Sequence, residues 1–136
     1  MSDILEIKKF RNKYKWLQRT FRVRNNVIEA YQYLEFLCIR KDIPKYALFD
    51  HIVLSSIDYI NKNSIMFSID EYIPRREPKG FTIRDITLDT FYEFVEKKGI
   101  LVAEAVELLI YVFIETNLSD SEKQLIDTNW GIKLLK

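Results

Sequence analysis

One succession of hydrophobic periods occurs twice in this 136-residue chain. In the first copy, Leu17, Arg19, Phe21 and Val23 alternate with Gln18, Thr20, Arg22 and Arg24, the period of a strand. Asn25-Asn26 offers cap chemistry, and Ile28, Tyr31, Leu34, Leu37 and Cys38 then recur at helical spacing up to Arg40-Lys41, where cations suit the helix dipole. Asp42-Ile43-Pro44 stops that helix and restarts another, because Pro is excluded from a helix interior but welcome in a first turn. Leu48, Phe49, Ile52, Val53, Ser56, Ile57 and Ile60 trace the second helix. In the second copy, Phe81-Thr82-Ile83-Arg84 alternates again, and Thr87 or Asp89 can cap a helix carrying Leu88, Phe91, Tyr92 and Val95. Gly99 ends that helix, and Ile100 to Thr116 forms another.

The organisation that follows is one domain over 1–136. It comprises a basic N-terminal arm (1–16), a strand-helix-helix unit (17–62), a connector (63–80), a second such unit (81–116) and a C-terminal helical tail (117–136). Ser64 to Ile69 reads as a short extended piece inside the connector, and Ser119 with Glu122 has capping-box spacing. Two repeats are too few for a solenoid. Two short strands left as lone edges are unstable, but paired antiparallel they form a ribbon that four helices can cover. The fold class is therefore mainly α with a short two-stranded antiparallel β-ribbon, plus a C-terminal helix.

Charge is unevenly placed although the net is only +1. Residues 1–25 hold eight cations against Asp3 and Glu6, whereas the remainder carries an excess of acids. That asymmetry fits a basic face made for a polyanion, the alternative being a solvated basic terminus. The start of the chain, with Asp3, Glu6, Lys8 and Lys9, lacks the pattern of a signal peptide or lipid anchor, and a cytoplasmic location is expected. Ile100 to Ile114 is interrupted by Glu104 and Glu107 and is too short to cross a bilayer, so it reads as a buried helix. One Cys and one His exclude a disulfide framework and Cys-rich zinc patterns, and no metal or cofactor is expected. Cys38 reads as core and His51 as a helix-surface residue. With three glycines there is no Gly-rich phosphate loop, and the carboxylates fall at exposed helical phases, so no enzyme is indicated.

The repeated unit resembles the ribbon-helix-helix superfamily of DNA-binding proteins. Gly99-Ile100-Leu101-Val102-Ala103-Glu104-Ala105-Val106-Glu107 is similar to the turn and start of that family's second helix. Thr20-Phe21-Arg22-Val23-Arg24 has the order of its DNA-reading strand, and Ile43-Pro44-Lys45-Tyr46-Ala47-Leu48-Phe49 occupies the inter-helix turn. The resemblance implies a tandem, two-copy member in which both units form an intramolecular pseudo-dimer. Leu101-Val102 departs from the family, which usually has Ser, Thr or Arg there to meet a phosphate. Val23 and Ile43 are 20 positions apart, whereas Ile83 and Ile100 are 17 apart, so the pseudo-twofold must be imperfect and the DNA site asymmetric.

What the resemblance implies for function is binding of double-stranded DNA with the ribbon in the major groove. Thr20, Arg22 and Arg24 from the first strand, with Thr82 and Arg84 from the second, are the expected base-reading residues. Lys8, Lys9, Arg11, Lys13 and Lys15 in the arm, Lys45 at the helix start, and Arg75, Arg76 and Lys79 before the second strand are the expected phosphate contacts. The biological role would be transcription regulation, as a repressor for example, or an accessory function on a viral or plasmid replicon. No membrane partner is expected, whereas self-association or a protein partner at the C-terminal helices is open. The competing reading is a non-enzymatic helical interaction module, an inhibitor or adaptor engaging its partner through the 100–114 helix and the tail.

Overall fold

A computed structural model describes residues 15–70 and 75–135. Their element order is β1 (Trp16–Arg24), α1 (Asn25–Arg40), a 3-10 turn (Lys45–Ala47), α2 (Leu48–Lys62), β2 (Met66–Ile69), β3 (Arg76–Arg84), α3 (Asp85–Lys98), α4 (Val102–Asn117), α5 (Asp120–Lys123) and β4 (Ile132–Leu135). The chain is mainly helical, with two antiparallel two-stranded sheets, β1 with β3 and β2 with β4.

In the longer ribbon Trp16 lies opposite Arg84, Thr20 opposite Gly80, and Arg24 opposite Arg76. A pseudo-twofold axis therefore passes between Thr20 and Gly80, relating Phe21 to Phe81, Val23 to Ile83 and Arg24 to Arg84. These three pairs are buried. The inward rings gather with Tyr31, Phe49 and Phe91 into an aromatic centre in which Phe49 and Phe81 have centroids 4.2 Å apart. Each strand leans on the second helix of the other unit, β1 on α4 and β3 on α2, and those two helices also pack together. Ser56 Oγ donates to the Leu109 carbonyl across that helix pair at 2.9 Å. Neither unit can bury its own apolar faces without the other.

Several expected boundaries shift. Trp16, placed in the arm, starts β1, and β3 begins at Arg76 rather than 81, so the Pro78 and Gly80 region assigned to the connector is strand. Each strand of a two-membered ribbon keeps one unpaired edge, which is where a residue without an N–H is tolerated. Helices α1 and α3 start directly after Arg24 and Arg84, ahead of the expected Asn, Thr and Asp caps, and neither arginine caps its helix with its own side chain. Gly99 closes α3 in the left-handed region (φ 66°), as its position implies. The 117–136 tail is not a helix beyond the single turn of α5, where Ser119 and Glu122 do form the capping box. It ends in β4, which pairs with the extended piece of the connector, Ile69 opposite Ile132. Trp130, almost fully buried, anchors it by donating from Nε1 to the Asp127 carbonyl and meeting Tyr111 edge-on.

Candidate nucleic-acid interface

The ribbon's inner face packs under helices apart from the exposed Arg19, and no described residue covers its outer face. Gln18, Thr20, Arg22, Pro78 and Gly80 are exposed and Thr82 is half-buried, and register puts all six on the outer side. Gln18 Nε2 donates to Thr82 Oγ1 across the strands at 2.8 Å. Arg22 Nη2 donates to the Arg76 carbonyl at 3.1 Å, which orients the guanidinium along the ribbon. Gly80 has no heavy atom within 4 Å of where a Cβ would stand, so the middle of the face is shallow and unobstructed. Thr20, Arg22 and Thr82 thus lie on the ribbon's outer side. Gln18 belongs with them, and its phase in the Leu17–Arg24 alternation carries that signal.

Arg24 and Arg84 do not point outward, which corrects their expected position. Each sits at the junction of strand and helix and turns into the core, 7% and 8% exposed. The Arg24 backbone N–H and Nε donate to Glu107, and Nη2 lies 2.9 Å from Glu107 Oε1. Arg84 repeats the arrangement with Asp50, its backbone N–H donating to Oδ1 at 3.0 Å and Nη2 lying 2.8 Å from Oδ2. Asp50 and Glu107 are therefore not at exposed phases, although most other carboxylates are. The two carboxylates occupy equivalent places in α2 and α4, and each accepts the Arg of the opposite unit.

The phosphate candidates divide. Lys8, Lys9, Arg11 and Lys13 lie outside the described residues. Lys15, Lys45 and Arg75 are exposed, Arg75 in a surface ion pair with Glu77. Arg76 is instead drawn to Glu107 at 3.1 Å with its side chain 13% exposed, because the buried carboxylate has lone pairs left for a second guanidinium. Lys79 is on the inner side of β3 with Nζ over the Tyr31 and Phe81 rings, 5.1 and 5.4 Å from their centroids, so cation–π packing holds it. Lys45 opens the 3-10 turn whose Tyr46 meets Trp16 edge-on at 5.2 Å, which sets this cation beside one end of the ribbon. At the other end, Leu101 precedes α4 and is 62% exposed.

In the 100–114 segment Ala105, Val106, Leu108, Leu109, Ile110, Val112 and Ile114 are core, whereas Leu101 is exposed and Val102, Ala103, Tyr111 and Phe113 are half-buried. Among the described residues no helix is long and apolar enough to cross a membrane, and no group of three His, Cys, Asp or Glu is placed to hold a metal ion. No family model matches the chain, and comparison with curated proteins and with solved structures finds no relative.

Proposed function

We propose that the chain is a tandem ribbon-helix-helix protein that binds double-stranded DNA sequence-specifically, laying the β1–β3 ribbon in the major groove. The observation that carries the reading is a ribbon whose one face packs into the core while no described residue covers the other. The major groove, about 12 Å wide, admits a two-stranded ribbon, and alternate side chains then meet base edges. Arg22 supplies planar, two-armed donation suited to guanine O6 and N7, while Gln18, Thr20 and Thr82 supply smaller polar contacts. Lys15 and Lys45 flank the ribbon as phosphate contacts, and helix-start backbone N–H groups near Lys45 favour an anion. Arg22 lies opposite Pro78 and Thr20 opposite Gly80, so the two halves of the face are chemically unlike and the preferred site is not a palindrome. Regulation of transcription by occupancy, on a viral or plasmid replicon or elsewhere, is the role such binding would serve.

The test is selection from random duplexes followed by Arg22→Ala. Loss of the bidentate contact should cost about 1–3 kcal/mol at one position of the selected site, with the melting temperature unchanged. Wild-type preference in Arg22→Ala, Gln18→Ala and Thr82→Ala alike would remove the ribbon as the reading surface.

A further inference from the structure

A cavity of about 180 Å³ opens between α1, the loop after it, the start of α2 and the end of α4. Its inner wall includes Leu34, Cys38 and Phe113, and its mouth is formed by the exposed Lys41, His51 and Asn117. Apolar voids of about 150 Å³ accept a benzene-sized guest. Burial, with Glu35 adding to it and Lys41 opposing, pushes the Cys38 thiol up, so it remains a neutral lining group. Lys41 is the charged group of the lining; its charge helps to lower the Glu122 carboxyl, but the two form no ion pair. The pseudo-twofold places Phe94 where Leu34 stands, Leu108 where His51 stands and Ile60 where Asn117 stands, all three buried. The larger ring and the apolar residues replace the smaller wall and the polar mouth, so the chemistry of this cavity belongs to one copy only.

We propose that this cavity is a binding site for a small monocarboxylate bearing one aromatic ring, with the ring against Leu34, Cys38 and Phe113 and the carboxylate toward Lys41. The size selects a single ring, the wall selects an apolar body, and the lone cationic lining residue selects an anionic head. The site is separate from the ribbon face, and its occupancy is measured without DNA.

Benzoate titrated into the whole chain, followed by amide and aromatic NMR shifts, is the direct probe, with toluene as the uncharged control. Saturable shifts at Cys38, His51 and Phe113, with ring-to-Phe113 Overhauser contacts, are expected. Leu34→Phe, which copies the other unit, should abolish them; Cys38→Leu fills the same wall and serves if Leu34→Phe fails to fold. Lys41→Gln should weaken benzoate several-fold and leave toluene unchanged. Absence of saturation, persistence of binding in the filled variants, or equal effects of Lys41→Gln on both probes would each overturn the proposal.

Discussion

The Arg24 guanidinium and the Glu107 carboxylate meet across 83 positions of sequence, Nη2 standing 2.9 Å from Oε1 with Glu107 1% exposed. The same carboxylate takes the Arg24 backbone N–H at 2.9 Å, so one side chain satisfies both the guanidinium and a helix-start donor. Arg84 and Asp50 repeat this from the opposite side. Each bond ties the end of one unit's strand to the other unit's second helix, which pins ribbon and helices in a single mutual orientation.

Breaking either latch by removing one partner strands a buried charge. Asp50→Ala and Arg84→Ala should each lower unfolding free energy by about 3–5 kcal/mol in urea titrations. The double variant should lose less than the sum, with a coupling of about 0.5–3 kcal/mol. Additive losses would show that the pair contributes nothing as a pair.

Gly80 is placed for approach rather than for backbone freedom, since no neighbour crowds its Cβ position and its φ is not in the left-handed region. Gly80→Ala should therefore be neutral or raise stability by about 0.4–1 kcal/mol, by narrowing the unfolded ensemble. If the ribbon enters a groove, Gly80→Leu should weaken DNA binding while thermal unfolding stays near wild type. Comparing gel-shift affinities with melting curves separates the two effects.

Phosphate contacts act on salt dependence, not on sequence preference. Lys15→Ala and Lys45→Ala should each reduce the log–log salt slope by about 0.9 for DNA binding, uniformly across duplexes. Arg76→Ala, whose charge is committed to Glu107, should instead show its effect in stability. Fluorescence anisotropy at several salt concentrations reads the first pair, and calorimetry the last.

Burial raises the Tyr31 phenol well above its ordinary value of about 10, with Glu35 and Cys38 adding to the shift and a backbone bond at Phe49 opposing it. The neutral form is thus favoured in the folded chain, and ionisation in the unfolded chain draws the equilibrium away. The associated stability is complete below pH about 10 and is lost as pH rises from there toward the folded value. Tyr31→Phe should flatten the alkaline limb of a stability-against-pH curve while costing about 1 kcal/mol at neutral pH for the lost hydroxyl bond. An unchanged alkaline limb would assign it to other groups.

The repeating order of strand and helices was legible because period-2 and period-3.6 burial leaves its mark residue by residue: Phe21 and Val23, then Tyr31, Leu34 and Cys38. The latches were not. Asp50 directly follows Leu48 and Phe49, and Glu107 lies between Val106 and Leu108, and a carboxylate within or at the edge of an apolar run gives no indication of a distant guanidinium waiting for it. Arg24 and Arg84 misled for the complementary reason: alternation assigns them outward, but a strand passing into a helix turns its last side chain. Pro78 and Gly80 signal a loop by composition, and only pairing with β1 makes their segment a strand. The tail's apolar residues fit a helix or an extended piece equally, and the decision fell to an unpaired partner, β2, more than fifty residues earlier.

Both strands of the ribbon belong to one polypeptide, and that has a consequence for dilution. A ribbon shared by two separate molecules comes apart as their concentration falls, whereas here the partner strand is always present at the local concentration set by the tether. The folded state should therefore be as populated at nanomolar as at millimolar protein, and a substitution in one strand alters one side of the face alone.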